Sequence, residues 1–145
     1  MSAALTVRIQ RTADGFALPQ RRSAADAGWD CYAAQAITVE PDAVALVSLG
    51  FSVEFDPSWA MLVLPRSGLA KHGISLSNSP GLVDASYRGV VSALVINHSP
   101  TVYAISRGDR ICQVIFVPVP AVTWVETEHL SESERGSGGF GSTGR

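Results

Sequence analysis

An all-β fold, a sandwich or a barrel, is what this sequence predicts, on three observations. Val and Ile together number 23 against 11 Leu. Short apolar or alternating runs recur between turn residues, and no window sustains a 3.6-residue period. Taken in chain order, Leu5–Ile9 alternates, and Ile37–Glu40 stops at Pro41-Asp42. Ala43–Leu49 stops at the single Gly50, and Phe51–Phe55 alternates up to Asp56-Pro57-Ser58. Trp59–Leu64 is a continuous apolar run ended by Pro65, and Ile74–Ser77 precedes Ser79-Pro80-Gly81. Val90–Ile96 runs into Asn97-His98-Ser99-Pro100, Val102–Ile105 into Arg107-Gly108-Asp109, and Ile111–Val117 and Val122–Glu126 complete the series. Each breaker supplies a turn by fixing or freeing φ. The one helical candidate, Ser67–His72, is a turn or two between Pro65-Arg66 and Gly73.

A chain of 145 residues is one domain, large enough to bury about 70% of its unfolded surface. Apolar residues make up 46%, which places it far from the composition of disordered chains. A net charge of -2 supplies no diffuse positive field for nucleic acid or an anionic membrane, so neither is expected as a partner. Charged residues are 17%, against about 25% in an average domain. Either part of the surface is an inter-subunit contact, or the composition is merely rich in alanine. No apolar run is long enough to span a bilayer and no signal-peptide pattern opens the chain, so a cytoplasmic location is expected. Cys31 and Cys112 lie far apart without CxxC spacing, which reads as two buried thiols rather than a disulfide or a metal site. His72, His98 and His129 show no metal-ligand spacing. From Ser131 the sequence becomes SESERGSGGFGSTGR, too poor in apolar groups to offset its ordering entropy. The expected organisation is a β domain over 1–130 and a mobile glycine-rich arm over 131–145.

The arm satisfies GxGxxG and nearly satisfies the phosphate-loop pattern. Both need a helix directly afterward for its N-terminal amides, and the sequence stops at Arg145, so a Rossmann or P-loop site is excluded. What survives is local: glycines admit a phosphate to backbone N–H groups, and Arg135 adds charge. PRSGLAKHG (65–73) offers an arginine, a hydroxyl and a glycine beside a helical turn, suited to a polyphosphate. NSPGLVDASYRG (78–89) places one carboxylate, Asp84, three residues before Tyr87 in a carboxylate-poor stretch, as a general base would stand. Each also has a plainer reading, as a connection, a turn cap or a loose terminus. Asp109 beside Arg110 reads as a turn residue with an ion pair nearby.

Together, in order and spacing, AGWDCYA, PRSGLA, NSPGLVDASYRG, GDRICQV and RGSGGFGSTG resemble the five motifs of the homotrimeric deoxyuridine triphosphate nucleotidohydrolases, over essentially the whole chain. The resemblance implies a jelly-roll-like distorted β barrel that assembles as a trimer, with sites shared between subunits and closed by the C-terminal arm. It implies hydrolysis of dUTP to dUMP and pyrophosphate, which limits uracil in DNA and supplies dUMP for thymidylate synthesis. Asp84 would orient the attacking water. Mg²⁺ would arrive with the triphosphate, and Asp30 would hold one of its waters. Arg66, Ser67, Gly68 and Gln113 would contact the phosphates, joined by Arg135, Gly138, Ser142 and Thr143 from the arm. Asn78, Gly81 and Val83 would frame the uracil in a narrow hairpin, Tyr87 would crowd a 2'-hydroxyl, and Phe140 would stack on the base. Trp29, Cys31, Ser86, Val90 and Cys112 depart from the family pattern, and none falls on a proposed catalytic group. The related dCTP deaminases need a glutamate where Leu94 stands and an arginine where Lys71 stands, which argues against deamination. A nucleotide-sensing regulator on the same scaffold is the other rival, and the presence of Asp84, Tyr87 and the arm argues against it.

Overall fold

A computed structural model describes residues 4–144; positions 1–3 and 145, the outer ends of the two expected segments, lie outside the described residues. The strands are β1 (Arg8–Arg11), β2 (Trp29–Tyr32), β3 (Ile37–Val39), β4 (Val44–Ser48), β5 (Phe51–Glu54), β6 (Trp59–Leu64), β7 (Ile74–Leu76), β8 (Gly81–Val83), β9 (Ser92–Asn97), β10 (Tyr103–Ile105) and β11 (Arg110–Pro118). One short helix, α1 (Ser67–Ala70), joins β6 to β7. The fold is therefore all-β, as expected. A four-stranded sheet runs β2-β11-β6-β8 and a three-stranded one β4-β9-β7, with β1-β5 and β3-β10 as two-stranded ribbons.

Alternation along the strands sets which side chains meet. In β9, Ala93, Val95 and Asn97 turn inward while Ser92, Leu94 and Ile96 are half-buried. Val47, Ile74 and Leu76 from the same sheet meet Met61, Val63 and Val114 from the larger one in a single core, with Phe51 and Val53 of β5. Phe51, Leu49 and Met61 are buried almost completely, each contributing about 1.5–3 kcal/mol by leaving water. Asn97 is the buried polar exception. Its amide donates to the carbonyls of Val39 (2.9 Å) and Thr101 (2.7 Å), and its oxygen accepts from the amide (2.9 Å) and hydroxyl (2.7 Å) of Ser99. The Val39 bond ties the β9–β10 turn to β3, the other three close the turn itself, and no polar atom of that side chain is left unpaired.

Three differences from the sequence reading matter. The strand expected at Val122–Glu126 does not form; the segment is exposed throughout, because no strand edge of its own chain pairs with it. The expected Leu5–Ile9 strand is displaced to Arg8–Arg11, where it pairs with β5, while Leu5 and Val7 pack against the core ahead of the ladder. Two strands were not anticipated, β2 and β8; both begin at or beside glycine and are held by neighbours distant in sequence, β11 and β6. Among the described residues no helix is long and apolar enough to cross a membrane.

Candidate active site

A cavity of about 520 Å³ opens beside β8, within the usual range for small-molecule sites. Asn78, Gly81, Val83, Asp84 and Tyr87 line it, together with apolar groups that include Val63, Val91 and Leu94. The site is built around one close approach. Gly81 pairs with Val63 of β6, and a β-carbon at Gly81 would stand 3.3 Å from both Asn78 Nδ2 and Val63 Cβ, a close contact that would push these neighbours by a few tenths of an ångström. After β8 the chain turns, closed by the Tyr87 amide donating to the Asp84 carbonyl at 3.0 Å. The Tyr87 hydroxyl donates to the Val90 carbonyl at 3.2 Å, and its ring covers Gly89 so closely that any side chain there would strike it. Asp84 is the one carboxylate among the lining residues. Within the segment 78–89, where a narrow hairpin is expected, β8 pairs with β6 and leads into the Asp84–Tyr87 turn.

A second cluster forms where β2, β11 and the start of α1 converge. Arg66 donates through Nε to Asp30 Oδ1 at 2.8 Å and through Nη1 to the Arg110 carbonyl at 3.2 Å. Arg110 Nη1 donates to the other Asp30 oxygen at 3.2 Å. Two of the five N–H groups of Arg66 are thereby fixed inward, and three remain to meet an anion. Gln113 donates Nε2 to the Pro65 carbonyl at 3.0 Å and packs against Gly28, where a side chain would collide with it. Ser67 and Gly68 are exposed at the start of α1, where backbone N–H groups lack intrahelical partners. Nearby, partial burial and then the Asp109 charge raise the Tyr103 phenol above its ordinary value, with Arg66 opposing.

Arg110 was missed by sequence reading. Its partner is Asp30, not the adjacent Asp109, whose carboxylate instead accepts the Ser106 amide at 2.8 Å. The signal lay in GDRIC: two consecutive core residues, Ile111 and Cys112, mark an irregularity, and a register shift between Arg110 and Cys112 is what turns Arg110 toward β2.

The two clusters lie at opposite edges of one four-stranded sheet, the arginine cluster at β2 and β11 and the cavity at β8. Gln113 is opposite Asp30 on one side and Leu64 on the other, and Val63 is opposite Gly81; the cavity takes Val63 and Gly81 from one face and Leu82 from the other. The expected arm residues join neither cluster. Arg135 Nε donates to the Gly138 carbonyl at 2.8 Å, a β-carbon at Gly138 would lie close to Ser142 Oγ, and Phe140, Ser142 and Thr143 are exposed.

Among the described residues no group of three or more His, Cys, Asp or Glu could cage a metal. The donor set still fits a phosphate-borne Mg²⁺. Each Asp30 oxygen accepts one arginine bond and keeps a lone pair for a metal-bound water, and this ion commonly retains several waters.

The family model for dUTPase matches residues 14–144. The chain belongs to the dUTPase family. It is 45% identical over 141 residues to the deoxyuridine 5'-triphosphate nucleotidohydrolase of Gloeobacter violaceus, covering 95% of this chain and 96% of that protein. To the protein of the same name from Solibacter usitatus it is 43% identical over 148 residues, covering both in full. A dUTPase of Staphylococcus bacteriophage 80alpha, determined with dUpNHpp, superposes with a TM-score of 0.88 at 24% identity, covering 97% of this chain and 99% of that one; this likeness is one of fold. Within this dUTPase fold, Leu94 lines the cavity.

Proposed function

We propose that the chain hydrolyses dUTP to dUMP and pyrophosphate, with the uracil end in the Asn78–Tyr87 cavity and the phosphates against Arg66, Ser67, Gly68 and Gln113. The observation that carries this reading is the cavity itself, apolar-walled, with one amide side chain and one carboxylate. Asp84 would accept a proton from water as the water oxygen attacks the α-phosphorus, and the bond from that phosphorus to the bridging oxygen breaks, releasing pyrophosphate. Backbone groups around Gly81 and Val83 would pair with the uracil edge, leaving unpaired polar groups against cytosine, while the Tyr87 ring would obstruct a 2'-hydroxyl. Mg²⁺, when bound, would offset the charge of the triphosphate. Asp30 has two parts here, receiving one of the ion's waters and holding Arg66 and Arg110 in register.

The active form is proposed to be a homotrimer with shared sites. Base pocket and phosphate cluster stand at opposite edges of one sheet, so a complete site would join the pocket of one chain to the cluster of another. Trp124 and Val125 are 92% and 81% exposed, apolar area that a neighbouring subunit would cover. The domain over 1–130 would then carry the walls, and the arm over 131–145 would bring Arg135, Gly138, Phe140, Ser142 and Thr143 over a bound nucleotide. On this reading the enzyme would keep uracil out of DNA and supply dUMP.

The test is pyrophosphate release from dUTP, dCTP, dTTP and UTP in parallel, with and without Mg²⁺. Selective turnover of dUTP is expected, and equal turnover of UTP or ammonia from dCTP would overturn the assignment. Asp84→Asn should lower kcat by about 10²–10⁴-fold with dUTP affinity retained; unchanged kcat would remove Asp84 from its role.

A further inference from the structure

Neither cysteine takes part in the proposed hydrolysis, yet β2 and β11 bring Cys31 and Cys112 directly opposite one another. Both are fully buried, and they are the free thiols of the described chain. The kind of pair follows from the backbone. Asp30 exchanges both of its backbone bonds with Gln20, at 2.8 and 3.0 Å, so its amide and carbonyl point away from β11. Those of the next residue, Cys31, therefore point toward it. Opposed residues of that hydrogen-bonded kind have Cα atoms about 5.5 Å apart, inside the Cα span of about 4.4–6.8 Å that a disulfide bridges, and their β-carbons, near the upper end of about 4.5–5.5 Å, must draw in by about 1 Å as the bond closes. The register shift after Arg110 sends the Ile111 and Cys112 side chains both into the core, so the Cys112 sulfur faces the Cys31 sulfur.

We propose that Cys31 and Cys112 form a dithiol site that hydrogen peroxide oxidises to an intramolecular disulfide tying β2 to β11. The Cys31 S–H donates to the Trp29 carbonyl at 3.6 Å, and contact with Cys112, then burial, raises that thiol well above its ordinary value. Either sulfur can attack first and the product is the same; in one order Cys112 leads. Its sulfur attacks one peroxide oxygen, the O–O bond breaks, and the departing oxygen leaves as water with the thiol proton, giving a Cys112 sulfenic acid. The Cys31 sulfur then attacks Cys112 Sγ, the S–O bond breaks, and a second water leaves with the Cys31 proton. Two thiols lose two electrons and one peroxide becomes two waters. Access comes by local opening of β2, an edge strand of its sheet, so oxidation is slow, and the opposed thiol traps the sulfenic acid before further oxidation.

The test treats the intact folded protein with hydrogen peroxide, follows it by intact mass and by alkylation after denaturation, and maps the peptides. The expected result is loss of two hydrogen masses and of both alkylatable thiols, a single cross-linked peptide joining Cys31 to Cys112, and full reversal by a thiol reductant. Cys112→Ala should form no intramolecular cross-link. Thiols that stay alkylatable, sulfinic or sulfonic products without a cross-link, or disulfide-linked dimers in the wild type would each overturn the proposal. The wild-type readout holds whether or not the variant folds, and it is independent of dUTP turnover.

Discussion

Gly68 separates the needs of the fold from those of the substrate. It is the second residue of α1, its φ is not left-handed, and nothing lies within 4 Å of where a β-carbon would stand. The folded chain thus accepts Gly68→Ala, and the gain in helix propensity is up to about 1 kcal/mol. If a phosphate oxygen docks on the Gly68 amide, the added methyl displaces it and costs a charge-assisted hydrogen bond, about 1.5–3 kcal/mol, or roughly 10- to 150-fold in kcat/KM. The assay is steady-state pyrophosphate release from dUTP beside a thermal melt of the same preparation. The melt should hold or rise while kcat/KM falls. A variant within twofold of wild type would refute the placement of phosphate at α1. Gly81→Ala is the contrasting case: its β-carbon meets Asn78 and Val63 at 3.3 Å, so both melting temperature and turnover should drop.

Phe140→Ala should raise KM for dUTP by roughly 5- to 150-fold, the equivalent of about 1–3 kcal/mol of base stacking, with the melt unaffected because that ring is exposed; an unchanged KM would contradict closure by the arm. Asn97→Ala strips the Val39 and Thr101 carbonyls of their donor and should cost about 2–4 kcal/mol, seen as a fall of roughly 5–15 °C in Tm. Asp56 is held below its ordinary value of 3.8, first by the Ser58 hydroxyl and then by the Ser58 amide. Its contribution is complete above that unfolded value and vanishes as pH falls through the lower folded one. Asp56→Asn should therefore lower Tm near neutrality, and that loss should shrink as pH falls below 3.8; a loss independent of pH would assign the effect to shape rather than charge.

The strands legible in the sequence are those whose own alternation or apolar run identifies a buried face, such as Phe51–Glu54 and Trp59–Leu64. β2 and β8 were invisible because their pairing comes from β11 and β6, and Pro80-Gly81 reads locally as a turn. Val122–Glu126 shows the reverse: a strand-like composition with no partner edge in its own chain remains exposed. The site divides in the same way. Asn78, Gly81, Asp84 and Tyr87 sit in one stretch and could be read as one unit. The contact of Arg110 with Asp30 spans most of the chain and depends on a register shift that no local pattern announces. The opposed cysteines escaped for the same reason, since spacing says nothing about which strands become neighbours.

That base pocket and phosphate cluster stand at opposite edges of one sheet has a genetic consequence. Two differently disabled chains, one damaged at Asp84 and the other at Arg66, would each be inert alone. Co-expressed, they would regain turnover wherever an intact pocket of one docks on the intact cluster of the other, so complementation between alleles would count the seams of the assembly.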